Sequence, residues 1–450
     1  MKLFRIDRRG DAEVVASQML LLRERLGTGG DVVSESSRRL TEAIFGEALS
    51  PQQVVERICR DVRQHGTSAL LKYSSRIDGA DLNPSTLRVS ASELEAAHAA
   101  ADKEFLNAIK RVRENIRRFQ ETILHNKDIR IEFPDGYIRE RYLPLRRVGV
   151  CVPGGAAAYP STVLMTAVPA QVAGVREIAV MMPPTKFGAY NPDMLATCFE
   201  LGIDEVYRMG GAQGIAALAY GIKEIPAVDK IVGPGNMFVA MAKRFVNGDV
   251  SIDMIAGPSE LVVIIDGTVD PIFIAYDLIA QAEHSPGVCF VVGWDVGVLE
   301  FVLGVVEAEL CKTDRGELAR ASLERFGAVI IAKDEADACQ VTNLLAPEHL
   351  IIAAKNAEAM AEIITAAGAI FIGGYTPAAL GDYAAGPSHV LPTSGTARFA
   401  SGLTCNDFIK ANSMMSFSKE GLKRYAKDIE IIAAKEELHA HNQSVKIRVT

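Results

Sequence analysis

The chain is 450 residues long, carries a formal net charge of −8 at neutral pH, and is 49% hydrophobic, 23% charged and 6% aromatic. At roughly 100–200 residues per domain this length predicts two or more domains, and the composition is that of an ordinary globular protein. No block of Lys or Arg stands out, which argues against nucleic acid or an anionic membrane surface as a partner. Residues 1–11 are charged and lack the apolar core of a signal peptide, and the longest apolar runs are strand-length, so a cytoplasmic protein is expected. The seven cysteines include no CxxC pair, a pattern of buried thiols in a reducing compartment and not of a disulfide scaffold.

Residues up to about 125 are expected to be mostly helical, with helical periodicity over 51–61 and 91–123 and charged outer faces. Ser50 is a candidate N-cap, with Pro51 at the first helical position. From Arg146 the texture changes. Short apolar runs at 148–152, 178–182, 205–209, 230–232, 261–266, 288–293, 328–332, 350–353 and 369–372 are separated by helical segments. Continuous apolar strands between helices predict parallel sheets covered on both faces. The predicted fold class is therefore α/β, with two doubly wound, Rossmann-like parallel-sheet domains and helical N-terminal and C-terminal extensions. The expected boundaries are an N-terminal helical extension over 1–40, a main α/β domain from 41–146 plus 257–402, a second α/β domain over 147–256, and a helical tail over 403–450.

Four histidines of the second half are each read with a nearby carboxylate or amide: Gln281 with His284, Glu348 with His349, Asp382 with His389 and Glu436 with His441. Asp270 and Pro271 open a helix with Ile272, Tyr276 and Ile279 on one face, and Ser285-Pro286-Gly287 is expected to stop it. Gln281 and His284 share a face of its last turn, where they suit either one edge of a zinc site or the capping of orphan carbonyls. Glu348 and His349 lie between a helix and a strand and suit two proton-transfer roles, or a plain exposed loop. Asp382 and His389 flank a Gly-, Pro- and Ser-rich loop too poor in apolar surface to pack a core, and such loops are functional or disordered. Glu436 and His441 are five apart in the tail and would not face each other on a helix, so a solvated tail is the alternative there. Glycine-rich turns follow strands at 153–155, 210–213 and 233–236 and suit phosphate approach, although none carries a GxGxxG fingerprint. Gly257-Pro258-Ser259-Glu260 is a further tight turn with a hydroxyl.

Together, VPGGAAAYPSTVLM, GGAQGIAALAYG, DKIVGPGN, IDMIAGPSE, LIAQAEHSPG, APEHL, GDYAAGPSHVLPTSGTARF and the EELHAH tail resemble the histidinol dehydrogenase family in order and spacing, from about Arg146 to Arg448. The resemblance implies a homodimeric enzyme with one zinc per subunit that oxidises L-histidinol to L-histidine through the aldehyde, with two NAD. It implies Gln281, His284, Asp382 and His441 as zinc ligands, the last supplied across the dimer by the C-terminal tail. It implies Glu348 and His349 as the catalytic pair. Ser259, Gln281, His284, His349, Asp382, His389, Glu436 and His441 would contact substrate, and Gln213 and Asn236 the cofactor. His349 would be the general base for the hydroxyl proton, and Glu348 would activate the water that hydrates the aldehyde. Two positions depart from the family. Cys151 stands where a cofactor-contacting tyrosine is common, so altered NAD affinity is expected unless another residue such as Tyr159 compensates. Glu437 stands where glycine is usual. The alternatives are a related zinc- and NAD-dependent dehydrogenase of another small alcohol or diol and, from another class, a zinc hydrolase.

Overall fold

A computed structural model, which describes residues 1–28, 35–155, 157–284 and 287–450, is built on two parallel sheets. One is five-stranded, in the order Glu205–Arg208, Glu177–Met182, Arg147–Cys151, Lys230–Val232, Ser251–Ile252. All its pairings are parallel. The chain winds outward from Arg147–Cys151 on one side, then crosses back to Lys230–Val232 on the other. The other sheet is six-stranded, in the order Phe4–Asp7, Ala328–Ile331, Gly287–Gly293, Ser259–Ile265, His349–Ala353, Ala369–Ile372, and is also all parallel. It repeats the same winding, with its reversal between Ser259–Ile265 and His349–Ala353 and an extra edge strand from the N-terminus. Every strand expected from an apolar run lies in one of these sheets, and their cores are the buried Val, Ile and Leu of those runs. Among the described residues, no helix is long and apolar enough to cross a membrane.

Three features differ from the sequence reading. First, residues 1–40 are not only helical. Phe4–Asp7 is a strand paired with Ala328–Ile331, and Ile6, Val15, Met19 and Leu22 join the core of the six-stranded sheet. A four-residue edge strand with a single buried side chain, Ile6, carries almost no periodic signal. The segment 29–34 of the expected extension lies outside the described residues. Second, the tail over 403–450 is not helical throughout. Ile409–Phe417 pairs antiparallel with Gly136–Pro144, which pairs with Ile129–Phe133, forming a third sheet. Only beyond it do helices Lys419–Lys435 and His439–Val449 follow. Third, the helices after residue 50 pack mainly on the five-stranded sheet, and helix Lys103–Ile123 also meets 257–402, where Asn115 donates to the Ala384 carbonyl at 2.9 Å. Val54, Val55, Ile58, Cys59 and Val62 of helix Pro51–His65 share a core with Ala179, Met181 and Ile231. Leu94, Ile109 and Ile116 share another with Val148, Val163 and Val180. An amphipathic stripe specifies that a face is buried, and nothing in it specifies against which sheet.

Local signals hold where the chemistry is local. Ser50 caps helix Pro51–His65 in a reciprocal capping box with Gln53, and Asp270 caps helix Pro271–Ala282. Of the face read in the latter, Ile279 is buried but Ile272 and Tyr276 are exposed, and the buried stripe runs through Ile274, Ala275, Leu278 and Gln281. Ser285 and Pro286, expected to end it, lie outside the described residues. At the tail, Glu437 adopts φ +59°, the left-handed region that glycine enters freely and that costs other residues roughly 1–2 kcal/mol.

Arg147 ties together the amino ends of the five-stranded sheet. Its side chain is 1% exposed, and Nη1 and Nη2 donate to the Glu205 carboxylate at 2.8 and 2.7 Å, while Nη1 also reaches Glu177 at 3.1 Å. Removing one partner of a buried ion pair costs about 3–5 kcal/mol, because the other is left uncompensated. Glu205 and Glu177 are partly open to water, so Arg147→Ala is expected to lie at the low end, about 3 kcal/mol, read as a lower midpoint in denaturant unfolding. A change under about 0.5 kcal/mol would mean the network is solvated and structurally idle.

Candidate active site

The parallel register between Ser259–Ile265 and His349–Ala353 aligns His349 with Leu261 and brings Glu348 beside Glu260. The Glu348 carboxylate is buried, and its Oε2 accepts from the Ser259 hydroxyl and the Glu260 backbone N–H, both at 2.8 Å. Burial raises the Glu348 pKa, against the pull of His349. His349 is 4% exposed and stacks on Phe371. Its Nδ1 donates to the Glu260 carbonyl at 3.1 Å, and its Nε2 lies 3.2 Å from Asp382 Oδ1. Burial disfavours the imidazolium, but the Glu348 and Asp382 carboxylates outweigh it and hold His349 at about 9.

Asp382 sits on the short helix Ala378–Tyr383. Burial would raise its pKa, but His349, His389 and His284 hold it below the usual carboxylate range. His389 Nδ1 donates to the Asp382 carbonyl at 3.0 Å, and its Nε2 lies 3.3 Å from the Thr162 hydroxyl. Thr162 belongs to helix Pro160–Ala173 of the five-stranded unit, whose Met165 carbonyl accepts from Ser388 at 2.9 Å. The loop carrying Asp382 and His389 thus bridges the two sheets.

Gln281 and His284 stand at the end of helix Pro271–Ala282, at the same edge. His284 is in charge contact with Asp382, and desolvation lowers its pKa against that pull. Gln281 is 6% exposed, and its Nε2 is buried without a hydrogen-bond partner. That end is an N–H donor, which a cation cannot cover, so a metal here would take the oxygen end of the amide. The amide, the imidazole and the Asp382 carboxylate form a nitrogen and oxygen donor set suited to zinc. Among the described residues, no three His, Cys, Asp or Glu are arranged to hold a metal. Glu436 and His441 are not brought to this cluster. Both are exposed on the C-terminal arm, whose two helices pack on each other, the first also on Ile409–Phe417.

The second feature is a cavity of about 350 Å³ at the carboxyl ends of Arg147–Cys151 and Lys230–Val232, lined in part by Cys151, Gly154, Gly211, Gln213, Asn236 and Phe238. This is the point where the strand order reverses, where open α/β sheets bind their ligands. All three glycine turns reach it. Gly233, at φ +103°, lies so close to the Cys151 carbonyl that a Cβ would fall 2.2 Å from its oxygen. The buried Lys243 ammonium donates to the Gly233 carbonyl at 3.0 Å and pairs with Asp253, whose Oδ2 accepts from the Gly233 N–H at 2.7 Å. Gln213 is fully buried, and Asn236 caps helix Met237–Val246 through Val239 N–H. Burial pushes the Cys151 thiol up to about 12, so it stays a neutral apolar wall. Tyr159 does not line the cavity, and the aromatic faces there come from Phe45 and Phe238.

Sequence reasoning passed over Glu260, Asp78 and the Lys243–Asp253 pair. Glu260 had a visible signal, a carboxylate at the second position of an otherwise apolar strand. It is 1% exposed, and Ser394 N–H donates to its Oε1 at 2.6 Å. Burial, then the Glu348 charge, pushes it to about 8.

A family model described as histidinol dehydrogenase matches residues 46–449. A histidinol dehydrogenase from Rhodopirellula baltica is 53% identical over 444 residues, covering 98% of this chain and 96% of the relative. One from Geobacter sulfurreducens is 47% identical over 400 residues, covering 88% and 93%. The crystal structure of the histidinol dehydrogenase from Elizabethkingia anophelis superposes with a TM-score of 0.87 at 33% identity, covering 99% of this chain and 98% of that one.

Glu260 gives the site a pH signature. Its folded pKa is raised, so the folded chain keeps a proton that the unfolded chain gives up. Its carboxyl therefore costs nothing below the ordinary value of 4.5, and stability falls as pH rises from there towards about 8. Glu260→Gln keeps an oxygen for Ser394 and removes the loss. Its melting midpoint should exceed that of the parent at about pH 8 by at least ~2 °C, the equivalent of ~2 kcal/mol for a chain of this length, and the gap should close at about pH 5. Equal midpoints at both would show that Glu260 is ionised in the folded protein.

Proposed function

Because the chain belongs to the histidinol dehydrogenase family, we propose that it oxidises L-histidinol to L-histidine through the aldehyde, with two NAD as hydride acceptors. The observation that carries the reading is the buried array in which Glu348 and His349 both bond the Ser259-Glu260 segment and His349 faces Asp382. The overall change balances as alcohol, water and two NAD⁺ giving carboxylate, two NADH and three protons.

The Glu260 carbonyl holds His349 Nδ1–H, so Nε2 is the nitrogen that takes the substrate hydroxyl proton when the carbinol hydride leaves. It can do so only as the neutral imidazole, which requires the Asp382 charge that favours the imidazolium to be offset. Glu348, in a desolvated pocket with a raised pKa, takes a proton from the water that adds to the aldehyde. His349 then serves again as base for the hydrate as the second hydride leaves. Ser259 and the Glu260 N–H keep the Glu348 carboxylate from swinging out of reach. His389, fixed through the Asp382 carbonyl and Thr162, is assigned to substrate binding. NAD is assigned to the cavity lined by Gln213 and Asn236.

Gln281, His284 and Asp382 are assigned as zinc ligands, with His441 of the partner subunit as the fourth and Glu436 of the partner subunit turned to substrate. When bound, zinc would supply a fixed anchor for the substrate's nitrogens and would offset the Asp382 charge. The shared-site dimer is supported by the apolar surface of the small sheet and arm, where Ile131, Met415, Ile432 and Ile447 are each more than half exposed.

Purified protein given L-histidinol should form two NADH per substrate, and a strong chelator should abolish this until zinc is restored. One NADH per substrate, or indifference to the chelator, would sink the four-electron zinc reading. Turnover of other small alcohols or diols in preference would favour the related-dehydrogenase alternative. Glu348→Gln should cut turnover by ~10²–10⁴-fold while zinc content, read by metal analysis, stays at that of the parent. Loss of zinc in that variant would make Glu348 structural.

A further inference from the structure

Gln213 is fully buried in the wall of the cofactor cavity, on the first turn of helix Gly211–Tyr220. Its Nε2 donates to Asp78 Oδ2 at 3.0 Å, while its Oε1 is buried with no hydrogen-bond partner. Asp78 ends helix Thr67–Asp78, where Gly79 in the left-handed region stops the chain, and it is half-buried in the wall of the same cavity. Gly211, at φ +59°, leaves room for the amide: a Cβ there would lie 2.6 Å from Gln213 Oε1.

An amide can be seated with either end forward, and in a buried site its neighbours decide which. A carboxylate only accepts hydrogen bonds, so Asp78 selects the N–H end of Gln213 and leaves the carbonyl oxygen, buried over Gly211 in the cavity wall, as the end without a partner. That oxygen is the acceptor a ligand must cover with an N–H or O–H. The carboxamide and the ribose hydroxyls of NAD both carry such donors.

We propose that Asp78 is a positioning residue of the cofactor site, which orients the Gln213 amide so that its oxygen accepts from a donor on NAD. The inference rests on the assignment of NAD to this cavity. Asp78 acts through Gln213, so its effect disappears when Gln213 is absent.

NAD binding is measured by calorimetry on the full-length protein, for the parent, Asp78→Ala, Gln213→Ala and the double variant, with thermal melts to verify folding. Asp78→Ala should weaken binding by roughly tenfold, the scale of one charge-assisted hydrogen bond. In the Gln213→Ala background the same change should cost less than about twofold. Asp78→Asn, whose amide oxygen can still accept from Gln213, should recover most of the loss. A polarity swap gives a second line that does not require Asp78→Ala to fold. Gln213→Glu should lose NAD binding, and adding Asp78→Asn should restore it, because the asparagine N–H then holds one glutamate oxygen and leaves the other without a partner in the cavity wall. An equal cost of Asp78→Ala with and without Gln213, or no rescue in the swapped pair, would overturn the proposal while leaving the cofactor assignment intact. Failure of the parent itself to bind NAD would overturn that assignment, and the proposal with it.

Discussion

The pairing of Ser259–Ile265 with His349–Ala353 is the constraint on which the site depends. It sets one backbone, at Glu260, against two adjacent side chains. The Glu260 N–H meets Glu348, and the Glu260 carbonyl meets His349. A slip of one residue would exchange the faces of every side chain on the strand and separate both contacts at once. Burying a carboxylate is expensive unless hydrogen bonds replace the lost water. Here the peptide N–H and the Ser259 hydroxyl do so, and they also fix where the carboxylate points. Glu260 bears a consequence of this order: its own carboxyl lies in the same dry region beside a charge, and burial with that charge drives it towards the neutral form.

The two sheets contribute opposite ends to one region. In the five-stranded sheet the cavity lies at the carboxyl ends, at the reversal of strand order, as expected for an open doubly wound sheet. In the six-stranded sheet, Ser259, Glu348 and His349 lie at the amino ends of the strands at the corresponding reversal. The rule that locates ligands in open α/β sheets finds the cavity but would search the wrong edge of the second sheet. What joins the edges is the loop that begins at Asp382, held to helix Pro160–Ala173 by Thr162 and the Met165 carbonyl.

Legibility in the sequence tracks how far each signal reaches. Central strands such as Val148–Val150 and Leu261–Ile265 are buried on both faces and are written as unbroken apolar runs. Edge strands are not: Phe4–Asp7 buries only Ile6, and Ile129–Phe133 leaves Ile129 and Ile131 about half exposed. Caps such as Ser50 and Asp270 are legible because their partners lie within three residues. The buried ion pairs of Arg147 and Lys243 are not, because a lone basic residue beside an apolar run looks like any solvated lysine or arginine. Gln213 and Asn236 stand out through their turns, whereas Asp78 sits 135 residues from its partner and has no local mark.

The sequence by itself determined the fold class, the central strands, the segments that carry chemistry and the family, because apolar periodicity, turn residues and motif order are properties of neighbours along the chain. Only the tertiary structure decided that the helices after residue 50 cover the five-stranded sheet, that Glu260 lies behind Glu348 and His349, and that Asp78 meets Gln213. Each of these depends on a long-range pairing register or packing angle, and the same residues in a different register would present the same local pattern. Glu436 and His441 mark the boundary of a single chain's geometry: they are exposed on an arm that reaches none of the groups clustered around Asp382.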